Sequence, residues 1–125
     1  MTARSPDIRI KRVYDPTSDD DGARVLVDRL WPRGLRKEKA AWSLWLKDVA
    51  PSPELRTWFG HVPARFAEFA RRYRAELAAN DGAVGPLEDL LKRDRVTLLY
   101  AAHDAEHNHA LVLAEYLRDH RSRRS

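Results

Sequence analysis

The chain has 125 residues with 23 basic and 19 acidic side chains, a formal net charge of +4, 43% hydrophobic residues and no cysteine. That length suits one hydrophobic core and is too short for two, and the cysteine count excludes disulfides, thiol nucleophiles and thiolate metal sites within it. The strongest apolar stretches, 96–102 and 110–114, fall far below membrane-spanning length and residues 1–7 are polar. Neither a signal peptide nor a membrane anchor is therefore expected, and the cytoplasm is the expected compartment.

Residues 8–14 alternate apolar and basic side chains and predict a strand, as does the β-rich run 25–30. Between them, 15–22 is turn chemistry rich in Asp, Pro, Ser and Thr; a link this short joins antiparallel neighbours more easily than it hosts a crossover helix, so strand direction stays open here. Trp31-Pro32-Arg33-Gly34 ends the second strand and leads into a charged loop. The apolar pattern at 42–49 is short enough for either a strand or a helical turn, with the strand preferred. Ser52 followed by Pro53 marks a helix start that Gly60 ends.

Residues 63–80 predict an amphipathic helix through Phe66, Phe69, Tyr73 and Leu77, stopped at Asn80-Asp81-Gly82. A shorter helix is expected over 86–92. The nearly continuous apolar run 96–102 then reads as a strand buried on both faces. A final helix is expected from about 105 to about 120, with Asp104 capping its first turn. Strands separated by helices in this order predict a single compact α/β domain over 1–117, a small open, mostly parallel sheet flanked by helices. A basic tail, 118–125, is expected to fray. Four of its residues are arginine against one aspartate, a contribution of +3, which leaves only +1 on the body of the domain.

Chemistry is concentrated where the buried strand gives way to the last helix. Ligands of open α/β sheets usually sit beyond the carboxyl ends of the strands, near helix amino termini. There, His103, Asp104, His107, Asn108 and His109 admit three readings. His103 and His107 have helical metal-ligand spacing, but His109 would point away from them. One imidazole oriented by Asp104 or Asn108 could serve acid–base or anion chemistry, although no nucleophile is evident. The third reading is that these side chains only cap the helix and bond nearby backbone.

Arg29 and Arg33 bracket a Trp-Pro at a strand end and suit phosphate or carboxylate; the alternative is an ion pair of Asp28 with Arg29 or Arg33 and a Trp31 packed in the core. Arg56 and His61 flank a short aromatic helix. The acidic segment 17–28 fails as a calcium loop, because Thr17 stands at the first ligand position. No P-loop, dinucleotide glycine fingerprint or serine elbow is present, so no cofactor is assigned.

These motifs together resemble the YeaO-like proteins of the domain-of-unknown-function 488 family, over nearly the whole chain. The segments that carry the likeness include Lys11-Arg12-Val13-Tyr14, Val27-Asp28-Arg29-Leu30-Trp31-Pro32-Arg33-Gly34, Trp45-Leu46-Lys47, Ala50-Pro51-Ser52, Leu55-Arg56 and Trp58-Phe59-Gly60-His61. Leu98-Leu99-Tyr100 followed by His107-Asn108 completes the set. The resemblance implies a compact bacterial α/β domain and brings no established activity. Longer relatives carry cysteine near the end of the final strand, where this chain has Tyr100, so cysteine chemistry does not transfer.

Two functions are expected to compete. The preferred one is a pocket for a small anionic ligand, phosphorylated or not, formed by Arg12, Arg29, Arg33, Arg56 and His61 with the 103–109 segment, with or without a reaction. The other is a nucleic-acid or protein-interaction module using the basic loop 36–39 and the tail. Neither reading involves a membrane, and the oligomeric state is not encoded in any motif.

Overall fold

The computed structural model describes residues 7–124, with side chains to residue 119. Four strands, β1 (Ile8–Arg12), β2 (Ala23–Leu26), β3 (Leu44–Trp45) and β4 (Val96–Tyr100), form one sheet in the order β1-β4-β2-β3, and every pairing is parallel. All five residues of β4 are buried, which is why an apolar run without alternation takes the central position. Its neighbours align Ile8 and Ala23 with Val96, so both flanking strands start level with it.

The short link between β1 and β2 makes no hairpin. The two strands are parallel and β4 lies between them. Residues 13–22 can reach about 33 Å when extended, well beyond the roughly 17 Å of a five-residue strand, so the chain returns to the start of β2 without a helix. It crosses one face of β4, where Thr97 donates to the Asp21 carbonyl at 2.6 Å. Asp21 itself is buried and paired with Lys11 and Arg24. Burial raises its carboxyl pKa, but bonds from Lys11, the Ser18 N–H and Arg24 outweigh this and hold it below the ordinary value.

The helices are α1 (Pro53–Phe59), α2 (Phe66–Ala78), α3 (Asp81–Leu91) and α4 (His109–Arg124). Ser52 accepts from the Leu55 N–H and Gly60 closes α1 in the left-handed region, as proline and glycine placement predict. The helix expected over 63–80 opens with a 3-10 turn at Pro63–Arg65 and is α-helical only from Phe66. α3 begins five residues before Pro86. That proline sits in the second turn, where its missing N–H leaves the Gly82 carbonyl without an intrahelical donor. β3 is only two residues long, and Lys47–Val49 forms a 3-10 turn after it.

The two faces of the sheet are covered differently. Val25, Val96, Leu98 and Tyr100 face a core built from all four helices, including Phe59, Phe69, Tyr73, Leu87 and Leu113. Leu26, Leu99 and Val13 face the other way and are covered by Leu35, Trp42 and Trp45 from the loop before β3 and from β3 itself. Helices thus flank one face, and a tryptophan-bearing loop covers the second. Among the described residues, no helix is long and apolar enough to cross a membrane.

Candidate functional site

Because every strand is parallel, all carboxyl ends lie on one edge. From adjacent strands there, the chain departs in two directions: β2 leads out to β3, while β4 leads to α4, which packs against β1. Diverging connections of this kind leave a crevice between the strand ends. A cleft of about 650 Å³ opens at that point. It is lined by Tyr14 and the loop Leu30-Trp31-Pro32-Arg33, and by Pro51, Arg56, Phe59 and His61 on and beside α1. The floor is the β4–α4 segment with Asp28 and Arg29.

The floor is tied down by backbone bonds. Asp28 Oδ2 accepts the Ala101 N–H at 3.0 Å, and Arg12 donates to the Ala102 and Ala101 carbonyls at 2.9 and 3.2 Å. Arg12 therefore supports the loop from behind and does not line the cleft. His109 Nε2 lies 3.0 Å from the Val27 carbonyl and 3.2 Å from Asp28 Oδ1. A carbonyl only accepts, so Nε2 carries the proton. The alternative ion pair of Asp28 with Arg29 or Arg33 does not form among the described residues, since its oxygens face Ala101 and His109.

Asp104 does not cap the last helix. Its Oδ1 accepts the Glu106 and His107 N–H groups at 2.9 and 3.1 Å, closing a separate turn that delays the helix to His109. Asn108 is the cap instead: Oδ1 accepts the Leu111 N–H at 3.2 Å and Nδ2 donates to the Asp104 carbonyl at 3.0 Å. The second Asp104 oxygen meets His107 Nδ1 at 2.8 Å. The Glu106 N–H and then His107 hold the Asp104 carboxyl below its ordinary range. In the tautomer that donates Nδ1–H to Asp104, Nε2 is the ring nitrogen left to face a ligand.

Cations surround this floor. Arg29 Nη2 is 3.3 and 3.4 Å from the Ala50 and Pro51 carbonyls, and its Nε is buried with no hydrogen-bond partner among the described residues. The Arg33 and Arg56 side chains are exposed and make no ion pair or hydrogen bond among the described residues. His61 follows Gly60 with φ of +57°, a left-handed conformation uncommon outside glycine, and turns onto the same cleft. His103 is exposed at the rim. The cleft thus carries three guanidiniums against two carboxylates, both already bonded internally.

The three histidines of the 103–109 segment do not converge. His107 serves Asp104, His109 serves Val27, and no group of three His, Asp or Glu gathers at metal-binding spacing among the described residues. Of the residues singled out from sequence, Arg29, Arg33, Arg56, His61, His103, Asp104, His107, Asn108 and His109 all line the cleft.

Its aromatic lining was not anticipated. Trp31, which the ion-pair alternative placed in the core, is 40% exposed. Phe59, Phe69 and Tyr14 also contribute. The available signal was a tryptophan placed after the strand end and before Pro-Arg-Gly, where a loop and not the core should hold it.

The family model of the inactive DUF488-N3 subclade matches residues 7–125. The chain belongs to the DUF488 family. An uncharacterized protein of Mycobacterium tuberculosis is 47% identical over 114 residues, covering 91% of this chain and 96% of its own length. The uncharacterized protein YeaO of Escherichia coli is 48% identical over 111 residues, covering 89% and 96% respectively. No solved structure matches significantly. The DUF488 resemblance in the motifs thus extends to the whole domain.

Proposed function

We propose that the cleft of this DUF488 domain binds a small anionic ligand, with phosphate or carboxylate at the guanidiniums of Arg29, Arg33 and Arg56. The observation that carries the reading is an imbalance of free donors. Among the described residues, Arg33 and Arg56 make no hydrogen bond or ion pair and Arg29 is only partly satisfied, whereas Asp104 is spent on the loop and Asp28 holds the Ala101 N–H with one oxygen. Guanidinium forks without carboxylates recognise oxyanions well. The amino terminus of the 16-residue helix α4 faces the same edge and adds a favourable dipole.

Binding without turnover is the preferred form of this proposal. The subclade is described as inactive, the chain has no cysteine, and β4 ends on Tyr100, which is buried in the core. The His107–Asp104 pair would then orient a ligand, with Nε2 accepting a hydrogen bond from a ligand hydroxyl.

Titration calorimetry at low salt, with inorganic phosphate and ribose 5-phosphate as probes and ribose as the uncharged control, tests this directly. Each phosphate compound should bind and ribose should not. Arg33→Ala and Arg56→Ala should each weaken binding roughly tenfold, as for a lost charge-assisted hydrogen bond, and leave the melting temperature unchanged. Equal heats for ribose and ribose 5-phosphate, or variants indistinguishable from the parent, would remove the proposal.

A further inference from the structure

An anion site alone does not account for the wall that Trp31 builds. The ring is held edge-to-face at 5.1 Å from Trp42 and 5.9 Å from Trp45, and its Nε1–H donates to the Leu35 carbonyl at 2.8 Å. Its single polar atom is used, so the exposed part of the ring, in a residue 40% exposed, offers π surface. Tyr14 beside it is 41% exposed, and its hydroxyl is spent on the Arg33 carbonyl at 2.7 Å. Leu30, on the same wall, is 56% exposed. Each square ångström of apolar surface left in water forgoes about 25 cal/mol. An exposed tryptophan ring braced by two others and lining a concave site marks a place that a ligand covers.

We infer that the ligand carries a planar aromatic ring that stacks on Trp31 while its anion reaches the guanidiniums, and that it is a mononucleotide. This inference rests on the anion-binding reading above and extends it. Two requirements meet in that class of compound. The wall asks for a flat ring whose recognition needs no hydrogen bond from the tryptophan, and stacking provides this for any base. Arg33, on the loop that carries Trp31, and Arg56, from α1, line the same cleft and ask for a negative group a few bonds away from that ring. The volume of about 650 Å³ exceeds what a bare phosphate or a sugar phosphate fills and lies in the range of nucleotide-sized ligands.

Trp31 is the one tryptophan of four on the cleft, so intrinsic fluorescence reports on it. AMP, GMP, CMP and UMP are titrated separately, beside ribose 5-phosphate and a short single-stranded oligonucleotide. At least one nucleotide should quench the fluorescence and bind more tightly than ribose 5-phosphate. Trp31→Leu should weaken that nucleotide roughly 5- to 100-fold and leave ribose 5-phosphate unchanged, with Trp31→Phe retaining most of the affinity. Because Trp31 also packs on Trp42 and Trp45, the Phe variant and the quench in the parent protein decide the matter if the Leu variant does not fold.

Ribose 5-phosphate binding as tightly as every nucleotide, without quenching, would overturn the inference and leave the anion site standing. No binding by any phosphate compound would remove both. An oligonucleotide binding far more tightly than any mononucleotide, with steep salt dependence, would replace the inference with a nucleic-acid interface.

Discussion

Asp28 joins the two halves of the site. One oxygen holds the first amide beyond β4, the other faces His109, and its backbone carbonyl accepts Trp45 Nε1–H at 2.6 Å. Asp28→Ala leaves the Ala101 N–H without its partner and should lower stability by about 1–3 kcal/mol in denaturant unfolding. Gly22 is constrained by its surroundings: with φ of +65°, an added Cβ would lie 2.3 Å from the Arg95 carbonyl oxygen. Gly22→Ala is expected to cost about 2 kcal/mol or more, read as a lowered unfolding midpoint. Asp104 makes a pH prediction. A carboxyl whose folded pKa is depressed stabilises the fold above its ordinary value of 3.8 and loses that contribution as pH falls through the folded value. Carboxyl NMR should place its midpoint below 3.8. The stability difference between the parent and Asp104→Asn should hold constant at neutral pH and shrink only below that point.

At the scale of elements, the last helix is governed by its cap. Asn108 is 2% exposed and bonds both Leu111 N–H and the Asp104 carbonyl. Asn108→Ala should cost about 1 kcal/mol, while Asn108→Asp retains the cap and most of the stability. Sequence had placed this start at 105, because Asp before Ala-Glu has the form of a helix cap; the Asp104 side chain instead closed its own turn, a competition that no periodicity reveals. Other elements were legible where local chemistry agreed with tertiary packing. Ser52, Pro53 and Gly60 define α1 by themselves, and the unbroken apolar run of β4 needs no partner to announce a central strand. β3 was harder to read, because Trp42 and Trp45 cover the second sheet face and are not carried in a long ladder. The parallel orientation of β1 and β2 depends on β4, a strand seventy residues later that pairs with both, which local sequence cannot encode.

At the scale of the molecule, polar residues near strand ends were readable because a parallel sheet directs all its carboxyl ends to one edge. That rule brought Arg29, Arg33, Arg56, His61 and the 103–109 segment to one cleft. It could not foresee that Arg12 would turn to the Ala101 and Ala102 carbonyls, since its strand ends at the same edge. Nor could it foresee the aromatic wall, which depends on the loop between β2 and β3 folding back on Trp42 and Trp45. The competing location for anion binding is the basic 36–39 loop and the end of α4. There Arg118 already donates to the Ile8 carbonyl at 3.0 Å, and the rest of the chain is close to neutral.

Amide and arginine side-chain NMR shifts on adding ribose 5-phosphate separate these locations in one experiment. The account predicts perturbations at residues 101–109 and at the Arg29, Arg33 and Arg56 Nε–H groups, saturating with ligand. Perturbations confined to residues 36–39 and 118–124 would contradict it.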